Sequence, residues 1–163
     1  MSEPFYFNSK IEEHAWLSNF ALSPMVDKNN NIWPTVEHAY QGMKTRDLEY
    51  KRFIRGAKTP WIAKKYGSSC PLRPDWNLVK VPVMKRILRE KFHQNEEFRI
   101  LLLQTEDRKL IHEAPWDGYW GTGPDGSGKN QLGVILMEIR DELREDADRS
   151  GAENEGQGTE AEG

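Results

Sequence analysis

The sequence predicts a helix-rich α+β domain with a small antiparallel sheet, and three observations carry that prediction. Several segments repeat apolar residues at the 3.6-residue period of a core-facing helix. The runs with strand character are only a few residues long, and two of them flank an Asn-rich turn. Strands do not alternate regularly with helices, as a doubly wound sheet would require. A length of 163 residues is that of one domain, large enough to bury a core without staples.

Taken in order, "FYF" at Phe5 to Phe7 reads as a short strand, and "PMVDKNNNIWP" as a hairpin pairing Met25 and Val26 with Ile32 and Trp33. A helix follows from the Thr35 cap, with Val36, Ala39, Tyr40 and Met43 as its apolar stripe. "TPWIAKKYG" predicts a short helix with Thr59 as cap, Pro60 at the first helical position and Gly67 just past the end. Met84, Ile87, Leu88 and Phe92 predict another, opening at Pro82, and "NEEFRILLLQT" one more from an Asn95 cap. "KLIHEA" has the character of a short strand. The last helix is expected from Asn130 through Leu132, Ile135, Leu136, Ile139 and Leu143.

Charge divides the chain. From Asp141 to Gly163 nine acids face two bases, a net of −7, which leaves +4 on Met1 to Arg140 of a chain whose net charge is −3. The body therefore favours an anionic ligand such as a phosphate, while +4 over that length falls short of a duplex-binding surface. The end of the chain lacks large apolar residues, so residues 1–146 are read as the domain and 147–163 as a disordered acidic tail. No apolar run approaches the ~20 residues that span a bilayer, so no membrane partner is expected. A lone Cys70 excludes an internal disulfide and, with no apolar leader, points to a reducing, cytoplasmic setting.

"GTGPDGSGKN" places Gly123, Gly128 and Lys129 on the spacing of a phosphate-binding loop. That motif needs Ser or Thr after the Lys and a buried strand before the first Gly, where this chain has Asn130 and "EAPWDGYW". A nucleotide hydrolase is excluded. As the N-cap of the last helix, Asn130 would instead leave free N–H groups and a helix dipole facing an anion.

Glu37, Gln41 and Lys44 fall at i, i+4 and i+7, so Glu37 and Lys44 lie within ~20° of each other around the helix and about 10 Å apart along it. A carboxylate and an amine converging on one gap can do acid–base and nucleophilic work; the plainer alternative is a solvated helix face. Six Trp residues are many for this length, and Trp16, Trp33, Trp116 and Trp120 fall in loops, where an indole can stack on a base or cover a small core. Asp117, bordered by aromatics, can hold sugar hydroxyls, act as a second acid, or satisfy its own turn. His14, His38, His93 and His112 show no metal-ligand spacing, so neither a metal nor another cofactor is expected.

Together, "WLSNF" at Trp16 to Phe20, "WPTVEHAYQGMK" at Trp33 to Lys44, "RPDWNLVKVPVMKRILREKF" at Arg73 to Phe92 and "EAPWDGYWGTGPDGSGKNQLGVILMEIR" at Glu113 to Arg140 closely resemble the NADAR, or YbiA-like, family over about Phe5 to Leu143. The resemblance implies a YbiA-like single domain and an N-glycosidase, a hydrolase that cleaves the bond between ribose and a base. Its substrate would be a small ribosylamino-pyrimidine phosphate of early riboflavin biosynthesis or an ADP-ribosylated guanine, including guanine within DNA, where the activity reverses ADP-ribosylation. By the same resemblance Glu37 and Lys44 are expected catalytic residues and Asp117 shapes the sugar side; as a loop carboxylate bordered by aromatics, Asp117 joins them as an expected catalytic acid. Asn19, Phe20, Trp33, His38, Gln41, Trp120, Gly121 and Asn130 are expected to bind substrate. The competing class is a binding module that holds ADP-ribose or a nucleotide without turnover, for which an acid and an amine on one helix face have no use. Oligomeric state is open on the sequence.

Overall fold

The structure is a computed structural model, and it describes residues 2–157. The elements are β1 (Phe5–Phe7), a 3₁₀ helix (Glu12–Leu17), β2 (Met25–Val26), β3 (Ile32–Trp33), α1 (Val36–Met43), α2 (Leu48–Arg55), α3 (Pro60–Ser69), α4 (Trp76–Gln94), α5 (Glu96–Gln104), β4 (Leu110–His112) and α6 (Gln131–Gln157). Helices dominate, as predicted. The hairpin β2/β3 is antiparallel, with Met25 opposite Trp33 and Val26 opposite Ile32. The second strand pair, β1 with β4, is parallel, Phe5 facing Leu110 and Phe7 facing His112. A purely antiparallel sheet is thus corrected to one antiparallel and one parallel pair. The parallel pair closes a crossover that contains five helices, and such a pairing leaves no local signal in the sequence.

The predicted stripes form the core. Val36, Ala39 and Tyr40 of α1, Met84, Ile87, Leu88 and Phe92 of α4, and Leu132, Ile135, Leu136, Ile139 and Leu143 of α6 are all buried, with Phe7, Leu17 and Leu110 between them. Three predicted boundaries move. Helix α4 starts at Trp76, six residues before Pro82, because the Trp76 indole is buried against Tyr40 at 5.1 Å between ring centroids and anchors the first turn. Pro82 then sits inside the helix, where its missing N–H frees the carbonyl of Leu78 on the solvent side, and Leu78 is 83% exposed. Helix α3 runs past Gly67 to Ser69. That glycine is buried in the contact between α3 and α1, where a Cβ would collide with the Gln41 side chain. It allows a close approach and does not stop the helix.

Helix α6 continues beyond Ala147 to Gln157, so this part of the expected disordered tail is helical. Arg149 of this polar extension pairs at i, i+3 with Asp146, and Arg144 pairs likewise with Asp141 just before it. The remainder of the tail, 158–163, lies outside the described residues. Helix α2 had no sequence prediction, because most of its residues are charged or exposed and Ile54 alone is buried. It is held at its start by Asp47, whose Oδ1 accepts from the N–H groups of Glu49 and Tyr50 at 3.0 Å each.

Candidate active site

Helix α1 has no solvated face. Every residue from Val36 to Gly42 is buried, because α2, α3 and α4 all pack around it. The polar stripe Glu37, Gln41, Lys44 therefore points into a cavity of about 250 Å³. The loop after the 3₁₀ helix adds Ser18, Asn19 and Phe20; α3 adds Trp61 and Lys64; α4 adds Met84. His112 of β4 and the loop residues Trp116, Asp117 and Trp120 complete most of the opposite wall. A second compartment of about 380 Å³ adjoins it, sharing Ser9, Ser18, Phe20 and Trp61 and bringing in Lys10 and Pro60.

Glu37 is 7% exposed, and loss of solvent raises the pKa of its carboxyl above the ordinary value. Its Oε1 accepts from Gln41 Nε2 at 2.7 Å, and the positive charges of Lys64 and Lys44 oppose the rise without cancelling it. Gln41 Oε1 has no partner and abuts Gly67 of α3, so only the amino end of the amide is left to face the carboxyl. Lys44 closes α1: its N–H donates to Gln41 O at 3.2 Å, and its carbonyl accepts from Arg73 N–H at 2.7 Å. Its ammonium stands 5.8 Å from the centre of the Tyr40 ring, and burial lowers its pKa. One stripe thus carries a carboxyl biased toward its protonated form and an amine biased toward its neutral form.

Asp117 lines the cavity, and its Oδ1 also accepts from the N–H groups of Tyr119 (3.0 Å) and Trp120 (2.9 Å). The turn reading of this residue holds, and its place in the lining leaves it within reach of a ligand. Asn19 is tied to α1, its carbonyl accepting from Glu37 N–H at 3.0 Å while its Nδ2 contacts Met84 Sδ at 3.7 Å. Phe20 meets Trp61 edge-on at 4.6 Å, and Trp120 meets Tyr40 edge-on at 5.8 Å.

Four of the expected substrate-binding residues lie outside the cavity. Trp33 donates from Nε1 to Asp27 Oδ2 at 3.0 Å, and its ring fills the space over Gly42. His38 bridges Thr35 Oγ1 (2.8 Å) and Ala57 O (2.9 Å), fixing α1 to the loop that follows α2. Gly121 is small because a Cβ would meet Ala114 Cβ at 2.6 Å. Asn130 holds the N-cap position of α6, its carbonyl accepting from Val134 N–H at 3.0 Å, but its side chain does not cap: Oδ1 accepts from His112 N–H and Nδ2 donates to Leu110 O, both at 2.9 Å, clasping β4. The glycine loop does not offer its amides to a phosphate either. The N–H groups of Gly121, Thr122, Gly123, Gly126, Gly128, Lys129, Asn130 and Gln131 all donate to backbone carbonyls within this region or at its flanks.

Conversely, the sequence reading passed over Lys64, Trp61 and His112 as site residues. Lys64 and Trp61 sit on α3 one helical turn apart, a spacing that reads as an ordinary surface pair until α3 is placed against α1. His112 was weighed only as a metal ligand. Its ring stacks on Phe7 at 5.2 Å, its Nδ1 is shut from solvent without a partner, and burial lowers its pKa, so the imidazole is held toward the neutral form. Among the described residues four side-chain polar atoms are buried without partners, and three of them, on Asn19, Gln41 and His112, belong to cavity-lining residues. Such atoms cost about 1–3 kcal/mol each unless something satisfies them, and they concentrate where ligands bind. Among the described residues no group of three or more His, Cys, Asp and Glu could hold a metal ion, and no helix is long and apolar enough to cross a membrane.

A helix-rich α+β domain that sets a buried carboxyl and a half-buried amine on one helix stripe, in a cavity edged by indoles and lysines, has the kind of site that enzymes use. The chain belongs to the NADAR domain family, whose model matches residues 5–144. It is 43% identical over 139 residues to the N-glycosidase YbiA of Shigella flexneri serotype 5b, covering 84% of this chain and 86% of that one. It is 37% identical over 149 residues to a riboflavin biosynthesis protein of Vibrio vulnificus, covering 90% of this chain and 40% of that one. The NMR structure of the E. coli protein YbiA superposes with a TM-score of 0.80 at 40% identity, covering 89% of this chain and 87% of that one.

Proposed function

We propose that the protein is an N-glycosidase that hydrolyses the bond between ribose and a base, with Glu37 and Lys44 as its catalytic pair. The observation that carries this reading is their placement on one stripe that runs from buried Glu37 in α1 to half-buried Lys44 at its C-cap, with burial raising one pKa and lowering the other. In the reaction, the neutral Lys44 amine attacks the anomeric carbon and the bond to the base nitrogen breaks. The leaving base takes its proton from Glu37. The attached nitrogen returns one proton to the Glu37 carboxylate and passes another to the ring oxygen as the sugar ring opens, leaving an imine on Lys44. Water then adds to the imine carbon, and the sugar departs as the amine is restored. Asp117 and Trp120 hold the sugar side, Asn19 and Phe20 the opposite wall, and Gln41 keeps Glu37 in place.

The relatives named for riboflavin biosynthesis favour a ribosylamino-pyrimidine phosphate, whose phosphate would meet Lys64 and whose base would stack among the indoles. The adjoining compartment with Lys10, Phe20 and Trp61 favours the longer second reading, an ADP-ribosylated guanine, which brings another base and a pyrophosphate. Assaying base release from both substrates side by side, with Glu37→Gln and Lys44→Ala as controls, tests the reading. Release by the wild type and by neither variant supports it. Binding without release from either substrate turns the protein into a nucleotide-binding module. Borohydride reduction during turnover distinguishes the covalent route, in which a sugar adduct forms on Lys44, from direct attack by water, which leaves none.

A further inference from the structure

Lys91 is a fully buried lysine that the chemistry above does not use. It lies on α4 two turns beyond Met84 and is 0% exposed. No carboxylate accompanies it. Its Nζ donates to Trp16 O at 2.7 Å and to Ser18 O at 3.1 Å, and stands 5.4 Å from the ring centres of Phe92 and Phe98. These two carbonyls flank the turn that presents Ser18, Asn19 and Phe20 to the cavity. From there the link continues through Asn19 O to the N–H of Glu37, and Asn19 Nδ2 returns to Met84 on the face of α4 that also bears Lys91.

We propose that Lys91 is a positioning residue of the active site: its two hydrogen bonds hold the segment 16–20, and through Asn19 that segment sets the first turn of α1 and the carboxyl of Glu37. An unpaired ammonium in the core is costly, and an apolar residue of the same length would fill the space without that cost. What a Met could not do is hold two loop carbonyls. The surroundings are consistent: α4 presents Phe92, α5 presents Phe98, and the loop presents carbonyls, with desolvation as the sole influence on the amine. That desolvation lowers its pKa to about 7. Above that pH two N–H groups remain to donate, but the bonds lose their charge assistance and weaken.

The inference takes the N-glycosidase reading for its activity assay, and a second readout does not depend on it. Lys91→Met is expected to fold, to leave KM within about twofold, and to lower kcat between about ten- and a hundredfold, the scale on which small misplacements of a reacting group act. Leu102→Ala, a core truncation on α5 outside the cavity lining, is expected to lower the melting temperature while kcat and KM stay at wild-type values. Wild-type kcat in Lys91→Met, or an equal loss of kcat in Leu102→Ala, overturns the proposal. In the wild-type protein, the amide shifts of Ser18, Asn19 and Glu37 should follow the ionisation of Lys91 observed at its own ¹³Cε. If Lys91→Met does not fold, loop amides that stay still through that titration overturn the proposal by themselves. A wild type that releases no base from either substrate, with loop amides that do follow Lys91, sinks the N-glycosidase reading and leaves the positioning role standing.

Discussion

Replacing Glu37 by Gln removes the proposed proton donor and little else. The amide has the volume of the carboxyl, and its Oε1 can accept the same 2.7 Å bond from Gln41 Nε2. Stability follows from the raised pKa. In the unfolded chain Glu37 ionises near its ordinary value of 4.5, whereas in the folded protein burial pushes ionisation to higher pH. The unfolded state thus loses its proton first, and this residue costs the fold stability as pH rises from the unfolded value through the folded one. Glutamine never ionises, so the variant should melt within a few degrees of wild type at acidic pH and no lower than wild type at alkaline pH. Catalysis should fall by about 10²–10⁴, the range that a positioned general acid supplies, or roughly 3–5 kcal/mol of barrier. Chromatography of the released base gives kcat, equilibrium dialysis gives ligand affinity, and a thermal melt monitors the fold. Wild-type turnover in a folded Glu37→Gln protein refutes the assignment, as does a loss of turnover matched by an equal loss of ligand binding.

Lys44→Ala should abolish turnover and the borohydride-trapped adduct together. In the wild type, kcat should rise with pH as the depressed Lys44 amine loses its proton and fall as Glu37 loses its own, and Glu37→Gln should lack the falling limb. Gly67→Ala drives a methyl group into the Gln41 side chain, and should cost about 1–3 kcal/mol in denaturant unfolding and lower kcat by disturbing the Gln41–Glu37 bond. Asp117→Asn keeps an Oδ1 acceptor for the N–H groups of Tyr119 and Trp120 and should melt like wild type, whereas Asp117→Ala should lose about 0.5–2 kcal/mol. An Asp117→Asn protein with full activity would restrict Asp117 to its turn.

The parts of the site that were legible in the sequence are those in which one helix supplies both spacing and chemistry. Thr35 marks the start of α1, the apolar stripe gives its period, and Glu37, Gln41 and Lys44 then follow on one side. Whether that side met water or a cavity was decided by α2 and α3, and α2 is nearly invisible to periodicity because it buries one residue. Other motif residues fall away from the cavity for a related reason. Trp33, His38, Gly121 and Asn130 lie within the motifs that carry the family resemblance, yet each fixes one element to another and none reaches the cavity. A motif marks residues that matter to the domain and does not separate those that touch ligand from those that hold the walls. His112 was hidden because its role depends on a parallel strand pairing across more than a hundred residues.

The loop from Gly121 to Asn130, with left-handed backbone at Gly123 and Gly126, has the composition of a flap over an active site. Its internally satisfied amides give it a different mechanical character. Opening it would break several backbone hydrogen bonds at once, together with the Asn130 clasp on β4, so its amides should exchange with solvent as slowly as those of the helices around it. Adjustment to an entering substrate then falls to the cavity's exposed indoles, Trp61 and Trp116, each more than half exposed, since exposed side chains change rotamer far faster than such a loop can open. Stiffness lies with the glycines and compliance with the tryptophans.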